Sequence, residues 1–397
     1  MNANSASLDV DRLRRDTPGC AETLHLDNAG SSLMPRPVLE AVVAHLKLES
    51  RIGGYAAAAT VAQEYEETYR AVAELIGGRA DEIALMESAT RAFDAAIYSL
   101  PWRRGDRILS SQAEYGANWI AMLQIARRTG AELVPIPDDE FGQISIDALE
   151  REIDERARLI VLTHVPTNGG LVNPASEVGR VARAAGVPYL LDACQSAGQI
   201  PLDVEEIGCD FLTATGRKYL RGPRGTGFLW IRWDLACELE PAMLDSHGAR
   251  WTSRDGYTLE PGARRFETFE ADVAGRLGLG VAADYARTTG VAAMNERIRA
   301  LASTLRGRLA AMPGVVVRDK GVERCGLVTF TVDGIDPWEL RQRLRARGVN
   351  VQVSGRELTR LDMEARGLEH VVRASPHAFN TEAEIERFLE ELDGARA

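Results

Sequence analysis

The chain has 397 residues, of which 45% are hydrophobic and 26% are charged, as in an ordinary globular protein. Its formal net charge of −11 argues against nucleic acid or an anionic membrane as the main partner, since both are polyanions. The length is too great for one ordinary core and predicts either two domains or one large domain with a smaller one.

Targeting and metal signals are missing from the sequence. The N-terminus, MNANSASLDVDRLRRDTPG, lacks the apolar core of a secretory signal, and no apolar run is long enough to cross a bilayer. We therefore expect a cytoplasmic protein that does not bind a membrane. The chain has five cysteines and no CxxC pair. We expect neither a disulfide framework nor a metal site, because the ligand spacing of a zinc site is missing.

The first informative segment along the chain is ESATRAFDAA, in which Ser88 and Thr90 lie between a predicted strand and a predicted helix. Free backbone N–H groups and the positive end of the helix dipole favour a phosphate group there. The simpler interpretation is that Ser88 or Thr90 only caps the helix. Taken alone, the segment favours the capping interpretation, because such caps are common.

The middle of the chain alternates apolar runs with helical patterns. The predicted elements are, in order, strand DRILSS (106–111), helix NWIAMLQIARRTG (118–130), strand ELVPI, strand ARLIVLTHV (157–165), helix PASEVGRVARAAG (174–186), strand VPYLLDA (187–193), and strands DFLTATG and GTGFLWIRW. Strands that are almost wholly apolar are typical of a sheet covered on both faces. The alternation predicts an α/β fold with a largely parallel sheet and helices on both sides.

The pattern changes after about residue 280. A long amphipathic helix, MNERIRALASTLRGRLAAMPG, precedes segments that predict strand, helix, strand, strand and helix: GLVTFTVDG, PWELRQRLRARG, VNVQV, HVVRAS and EAEIERFLEEL. We predict an N-terminal arm over residues 1–20, a large domain over 21–280 and a smaller C-terminal α/β domain over 281–397.

Polar side chains follow the predicted parallel strands at the end where ligands bind in open α/β sheets. Asp192 follows one buried strand and Lys218 follows another. A carboxylate in such a place needs a partner, because an unpaired one costs several kcal/mol; a helix that it caps or a cationic ring nitrogen would serve. Lys218 alone is most simply a solvated charge, but a buried lysine can form a Schiff base with an aldehyde.

A phosphate-binding helix start, a carboxylate for a ring nitrogen and a strand-end lysine together match the needs of pyridoxal 5′-phosphate (PLP). Asp192 would keep the pyridine nitrogen protonated. Lys218 would hold the aldehyde and then carry the proton at the substrate Cα.

Motifs along nearly the whole chain resemble the class V, fold-type I PLP enzymes, a group that includes cysteine desulfurases and isopenicillin N epimerase-like proteins. The motifs are LDNAGSSLMP, ESATRA, EYGAN, THVPTNGGLVNP, DACQSAGQIPLDV, CDFLTATGRKYLRGPRGTGFLW and VVRASPHAFNTEAEIERFL. The resemblance implies a large domain with a mostly parallel seven-stranded sheet, a smaller C-terminal α/β domain and PLP as cofactor.

The resemblance also implies roles for the matching residues. Lys218 would be the catalytic Schiff-base lysine and Asp192 the partner of the pyridinium. The other cofactor-binding residues would be Ser88, Ala89, Thr90, Thr215 and Arg217 at the phosphate, Thr167, Asn168 and Gln195 at the ring hydroxyl, Tyr115 stacked on the ring, and Thr268 at a phosphate across a subunit interface. The substrate-binding residues would be Asn28, Ala29, Tyr55 and Arg373.

Two of these residues bear on the assembly and the substrate. In the family the GGY motif, which contains Tyr55, faces the active site of the neighbouring subunit, so the resemblance implies a homodimer with a shared site. Arg373 would grip the α-carboxylate of an amino-acid substrate with two parallel hydrogen bonds.

Two departures from the desulfurase pattern bear on the reaction. Desulfurases carry a catalytic cysteine shortly before this arginine, whereas residues 354–372, SGRELTRLDMEARGLEHVV, contain none. Cys325, which we place in a strand, and Cys194 are interpreted as small buried residues. Tyr115 stands where desulfurases have a ring-stacking histidine, and a tyrosine with a pKa of about 10 is a poor proton donor near pH 7.

The motifs resemble most closely the C–S lyases of the hercynylcysteine sulfoxide lyase type, which act in ergothioneine biosynthesis. This implies cleavage of a cysteine S-conjugate or its sulfoxide to a thiol or sulfenic acid, pyruvate and ammonia. Two alternatives remain open: a class V aminotransferase or epimerase, and a decarboxylating oxidative deaminase of a cysteine S-conjugate, as in lincosamide-type antibiotic biosynthesis.

Overall fold

The computed structural model describes residues 8–396. The strands are β1 Leu24–His25, β2 Ile83–Met86, β3 Arg107–Ser111, β4 Glu132–Ile136, β5 Ala157–Thr163, β6 Tyr189–Asp192, β7 Phe211–Thr215, β8 Gly227–Ile231, β9 Ala249–Ser253, β10 Gly256–Leu259, β11 Val315–Val317, β12 Val328–Val332, β13 Val349–Asn350, β14 Gln352–Gly355 and β15 His370–Ala374. The α-helices are α1 Val10–Arg15, α2 Asn28–Ser31, α3 Arg36–Ile52, α4 Gly54–Thr60, α5 Ala62–Leu75, α6 Ala89–Tyr98, α7 Gly116–Thr129, α8 Ile146–Glu152, α9 Ala175–Ala185, α10 Val204–Ile207, α11 Trp233–Glu238, α12 Val273–Thr289, α13 Val291–Ala310, α14 Pro337–Ala346, α15 Arg360–Ala365 and α16 Glu382–Arg396.

A seven-stranded sheet forms the centre of the fold, with the strand order β2-β8-β7-β6-β5-β3-β4. Strands β3 to β7 pair in parallel, whereas β8 runs antiparallel to both of its neighbours, β2 and β7. The predicted fold class, an α/β fold with a mostly parallel seven-stranded sheet, is therefore confirmed.

The central strands are buried on both faces because their side chains alternate between two hydrophobic layers. In β5, Leu159 and Val161 pack into one core cluster and Ile160 and Leu162 into the other, and all four are fully buried. Each such side chain contributes about 1.5–3 kcal/mol by its removal from water. The continuous apolar run that the sequence shows here is what two covered faces require.

A second, antiparallel sheet of order β11-β12-β15-β14 lies in the C-terminal part and packs with α13, α14 and α16. Strand β15 lies inside this sheet, between β12 and β14. The single strand predicted at VNVQV is wrong: β13 pairs in parallel with β1, while β14 pairs with β15. The sequence could not show this split, because β1 is distant along the chain.

The domain division over residues 21–280 and 281–397 stays a prediction. Its boundary falls inside α12, which packs along α5 and α3 of the N-terminal part. Strand β1, in turn, pairs with β13 of the C-terminal part.

Most of the predicted elements in the middle of the chain are present with small shifts at their ends. Helix α7 begins at Gly116, before the predicted start, and ends at Thr129; Gly130, which follows, adopts a left-handed conformation and caps the helix. Strand β12 begins at Val328, so the prediction that Cys325 belongs to a strand is wrong. Within residues 8–396, no helix combines the length and the apolar character needed to cross a membrane.

Candidate active site

The carboxyl ends of β5, β6 and β7 meet at one edge of the large sheet. Thr163 pairs with Asp192, and Asp192 pairs with Thr213, so the three strands end side by side. The loops that follow carry the residues 164–168, 193–195 and 216–218. This register brings together the candidate residues that are far apart along the chain.

Lys218 follows β7, and its Nζ lies 5.8 Å from the centroid of the Tyr115 ring. Burial lowers the pKa of Lys218, and the cations of Arg217 and Arg373 lower it further, against the opposing charge of Asp192. A lower pKa increases the fraction of uncharged amine near neutral pH. The uncharged amine is the form that attacks an aldehyde.

The lysine content of the chain singles out the same residue. Of the 47 lysines and arginines, only Lys47, Lys218 and Lys320 are lysines. Lys47 is exposed, and Lys320 Nζ pairs with the carboxylates of Asp138 and Asp362 at 2.9 and 2.6 Å. The small number of lysines is a feature of the sequence that the comparison of motifs did not use.

Asp192 ends β6 as a buried carboxylate. Its Oδ1 accepts a hydrogen bond from the Cys194 backbone N–H, and its Oδ2 accepts one from Asn118 Nδ2, each at 2.8 Å. Within the described residues, no lysine, arginine or histidine nitrogen lies within ion-pair distance of it. No helix follows before α10, so the alternative that Asp192 caps a helix is wrong. A carboxylate with spare acceptor capacity here suits a protonated ring nitrogen.

The N-terminus of α6 supplies the candidate phosphate cradle. Ser88 caps this helix, since its hydroxyl accepts the backbone N–H of Arg91 at 3.2 Å. Ser88 therefore caps the helix, as the simpler interpretation held. The N-terminus of α6 also lies beside the strand ends. Gly227, opposite Thr215 in the sheet, makes this possible: an added Cβ would lie 3.0 Å from the Ala89 nitrogen. The backbone of β8 therefore approaches the helix end as only a glycine allows.

The structure places three other residues that were predicted at the phosphate. The guanidinium of Arg217 donates a hydrogen bond to the Gly30 carbonyl. Thr90 and Thr268 are exposed and line one surface cleft of about 770 Å³. Their roles at a phosphate remain predictions.

Arg373, on β15, is the residue predicted to bind the α-carboxylate of the substrate. It is buried, its Nη1 donates to Thr167 Oγ1, and its Nη2 lies 3.5 Å from Asp27 Oδ1. Its Nε has no hydrogen-bond partner among the described residues. Sequence reasoning missed Asp27, although it is the second residue of the LDNAGSSLMP motif.

Asn28, Ala29 and Gln195 link the two halves of the site. Asn28 Nδ2 donates to the Ser375 carbonyl at 2.8 Å, and the Ala29 carbonyl accepts from Gln195 Nε2 at 3.0 Å. Asn28 Oδ1 accepts from Ser32 Oγ at 2.6 Å, so both polar atoms of this side chain have partners within the chain. Gln195 Oε1 has none among the described residues.

Asn168 joins the loop after β5 to the C-terminal part. Its Nδ2 donates to the Gly355 carbonyl and to Thr359 Oγ1, both at 3.0 Å, and its Oδ1 has no partner among the described residues. Tyr55 lies apart from this arrangement. It is 81% exposed on α4, and its hydroxyl makes no hydrogen bond within residues 8–396.

The segment that carries the catalytic cysteine in desulfurases is folded here onto α7. A Cβ added to Gly116 would lie 2.3 Å from the Glu357 carbonyl oxygen, so the two backbones are in close contact. Cys325 is buried outside this segment, and burial raises the pKa of its thiol to about 11. Burial likewise raises the pKa of Cys194 well above its ordinary value. Neither thiol is in its reactive form near neutral pH.

The arrangement fits PLP. It offers an amine for the aldehyde, a buried carboxylate for the ring nitrogen, an aromatic side chain for a ring face and a helix end for the phosphate. Asn168 Oδ1 and Gln195 Oε1 are buried polar atoms without a partner among the described residues, as expected of atoms that bind a polar group of a ligand. Among residues 8–396, no three histidine, cysteine, aspartate or glutamate side chains are grouped as metal ligands.

Comparison with known proteins places these features in a family. The family model for aminotransferase class-V matches residues 24–388. The probable cysteine desulfurase of Methanothermobacter thermautotrophicus is 30% identical over 388 residues, with 96% of each chain covered. The apo structure of the cysteine desulfurase from Thermococcus onnurineus matches with a TM-score of 0.91 at 26% identity and covers 99% of both chains.

A lyase is also among the similar structures. The cystine C–S lyase C-DES, in complex with its reaction product cysteine persulfide, has a TM-score of 0.85 at 25% identity and covers 95% of this chain and 98% of its own. A mutant of C-DES with glycine covalently linked to the PLP cofactor has a TM-score of 0.86 at 25% identity, with 96% and 98% covered.

Proposed function

The chain belongs to the aminotransferase class-V family and uses PLP, and we propose that it is a C–S β-lyase that cleaves a cysteine S-conjugate or its sulfoxide. Its similarity to a probable cysteine desulfurase and to a cystine C–S lyase supports a PLP enzyme of the cysteine desulfurase and C–S lyase class. The choice of a β-lyase is supported by the residues of this chain.

One observation carries the choice of a lyase over a persulfide-forming desulfurase. Lys218, Asp192 and Arg373 are all present around one sheet edge, while residues 354–372 contain no cysteine that could accept sulfur. The chain keeps the groups for Cα chemistry and lacks the group for sulfur transfer. The sulfur must then leave with its substituent.

Arg373 binds the substrate α-carboxylate and so orients the amino acid. Its guanidinium is held by Thr167 on one side, which leaves the unpartnered Nε and the edge near Asp27 to face a ligand. Because a carboxylate is gripped in a fixed direction, the Cα–H bond is presented to Lys218.

Lys218 Nζ takes the proton from Cα, a role that its lowered pKa favours because the amine is then uncharged. When bound, PLP supplies the electron sink that accepts the electron pair left at Cα. Asp192 would hold a proton on the ring nitrogen, and Tyr115 would cover a face of the ring and exclude water.

The Cβ–S bond breaks next, and the sulfur leaves with the electron pair. With one water consumed, a conjugate R–S–CH₂–CH(NH₃⁺)–COO⁻ gives the thiol R–SH, pyruvate and ammonium. The corresponding sulfoxide gives the sulfenic acid R–SOH instead. Substrates of this kind occur in ergothioneine biosynthesis, as hercynylcysteine sulfoxide, and in sulfur-containing secondary metabolism.

We also propose that the enzyme is a homodimer with a shared site. Two predicted site residues, Tyr55 and Thr268, are exposed at the surface of the single chain. The exposed apolar residues Leu39, Val43 and Leu46 on α3 precede Tyr55 along the chain. Light scattering coupled to size-exclusion chromatography tests this proposal, and a monomer at the concentrations used in assays would contradict it.

The reaction is tested by incubating the PLP-loaded protein with a panel of cysteine S-conjugates and their sulfoxides, followed by mass spectrometry of the products. Equal amounts of pyruvate and thiol or sulfenic acid products are expected from at least one conjugate. The matched control is Lys218→Ala, which should yield neither. A keto acid with an intact C–S bond, a racemised substrate or a decarboxylated aldehyde would instead identify an aminotransferase, an epimerase or an oxidative deaminase.

A further inference from the structure

Glu114 is a second buried carboxylate behind Asp192, and one amide joins the two. Asn118 Nδ2 donates to Glu114 Oε1 and to Asp192 Oδ2, each at 2.8 Å. All three side chains are at most 3% exposed. Since an amide nitrogen has two hydrogens, each carboxylate receives one of them. The direction of the Asp192 carboxylate therefore depends on the Asn118 amide, which Glu114 holds.

Glu114 is itself fixed by donors from three elements. Its carboxylate accepts the backbone N–H groups of Tyr115 and Thr163 at 3.0 and 2.9 Å, and the hydroxyls of Thr163 and Ser110 at 2.5 and 3.3 Å. Backbone N–H groups only donate, so this surrounding suits an ionised acceptor. Burial raises the pKa of Glu114 and the charge of Asp192 adds to this, so the pKa lies above its ordinary value although the hydrogen bonds from Thr163, Asn118 and Tyr115 lower it. The donors that converge on Glu114 are the geometric reason for a carboxylate at this position.

We propose that Glu114 is a positioning residue that acts on the cofactor through Asn118 and Asp192. Glu114 fixes the amide, and the amide fixes the Asp192 carboxylate against the ring nitrogen. The inference rests on the PLP site of the proposed function and is independent of the substrate.

The consequence is measurable at the other end of the cofactor. A positive ring lowers the basicity of the nitrogen by which Lys218 is linked to PLP, because like charges repel. When Asp192 is less well oriented, the ring loses part of its charge and that nitrogen keeps its proton to higher pH. The other titratable or charged groups that face Lys218 or Glu114 are Cys194, Arg217, Arg373, Tyr115 and Tyr189. The variants below leave all five unchanged.

The test is a pH titration of the visible absorbance of the PLP-loaded protein. In Glu114→Gln and Asn118→Leu the pH midpoint should rise by about one unit relative to wild type, because a less well oriented Asp192 stabilises the ring proton less. Asn118→Leu keeps the side-chain volume and removes both N–H donors, so it remains informative if Glu114→Gln folds poorly.

The matched control is Asp210→Asn. Asp210 is also buried, and its carboxylate accepts the backbone N–H of Tyr189 at 2.8 Å, at the opposite end of β6 from Asp192. This variant disturbs the same strand without touching the amide bridge and should keep the wild-type midpoint.

Wild-type midpoints in folded, PLP-loaded Glu114→Gln and Asn118→Leu would overturn the inference, and so would an equal shift in Asp210→Asn. A wild-type protein that takes up no PLP would overturn the cofactor assignment and this inference together. Failure to cleave any C–S bond would contradict only the proposed reaction, because the titration needs no substrate.

Discussion

Asp27 places a carboxylate oxygen 3.5 Å from a guanidinium nitrogen of Arg373, the residue that we propose binds the substrate carboxylate. The two side chains are 17% and 6% exposed, so the pair is partly shielded from water. Asp27 Oδ1 has no hydrogen-bond partner among the described residues. The chain thus holds an anion of its own where an amino-acid substrate would place its carboxylate.

Asp27→Asn should therefore tighten the binding of an amino acid. Removing the competing charge frees the guanidinium, and an ion pair worth about 1 kcal/mol corresponds to a gain of about fivefold in affinity. The measurement is a titration of the PLP-loaded variant with L-alanine, followed by the visible absorbance. Weaker binding would show that Asp27 orients Arg373 rather than competes with the substrate.

Gly227→Ala should weaken the binding of PLP. The new Cβ would lie 2.6 Å from the Ala214 carbonyl oxygen and 3.0 Å from the Ala89 nitrogen, both backbone atoms, so the start of α6 has to move away. We expect a loss of at least about tenfold in PLP affinity, or about 1.4 kcal/mol, measured by equilibrium dialysis.

The control for this change is Gly307→Ala in α13, where an added Cβ meets no atom within 4 Å. It should leave PLP affinity unchanged and stabilise the helix by about 1 kcal/mol. Equal PLP affinity in both variants would show that the N-terminus of α6 is not part of the proposed phosphate cradle.

The fully buried His377 should make the protein less stable in mild acid. Its Nε2 lies 3.1 Å from the Tyr219 carbonyl oxygen, and its Nδ1 accepts the Ala378 backbone N–H at 2.8 Å, so the ring is held neutral. Burial lowers the pKa of His377 to about 3, and the charge of Arg221 adds to this effect.

The sign of the pH dependence follows from this lowered value. Below the unfolded pKa of about 6.5 the unfolded state binds a proton and the native state does not, so stability is lost as the pH falls toward 3. At pH 5 this one residue costs about 2 kcal/mol relative to pH 7. Urea midpoints at both pH values should differ less in His377→Gln than in wild type, and an equal or larger difference would contradict the assignment.

Incubation with L-cysteine should leave no sulfur on the protein. The thiols of the half-buried Cys194 and the buried Cys325 have raised pKa values, and neither lies in the segment before Arg373. The intact mass should stay that of the PLP-loaded chain, and Cys194→Ala should still form pyruvate from a cysteine S-conjugate. A persulfide found on any cysteine after this incubation would contradict the lyase proposal and identify a persulfide-forming desulfurase.

The large sheet could be predicted from the sequence because the central strands of this sheet are buried on both faces. Such strands appear in the sequence as apolar runs between helical patterns. Asp192 and Lys218 could be placed at strand ends for the same reason. The pairing of β1 with β13 could not be predicted, since it joins segments of two residues each from opposite ends of the chain. Short pairings of this kind leave no periodicity in the sequence.

The parts of the site that the sequence missed are contacts rather than motifs. Asp27 and Glu114 both lie inside motifs that were recognised, but their contacts with Arg373 and Asn118 became visible only in three dimensions. The sequence also suggested a role that the structure does not support. Asp192 was considered as a helix cap, but no helix follows it before α10. A side chain's role depends on what the fold places beside it.

The most direct test of the account is to reduce the PLP-loaded protein with borohydride, digest it and locate the modified lysine by mass spectrometry. The chain offers three lysines, so the experiment has few possible answers. We predict one pyridoxyl group, on Lys218, and none in Lys218→Ala. A pyridoxyl group on Lys47 or Lys320 in place of Lys218, or no modification at all, would contradict the proposed site.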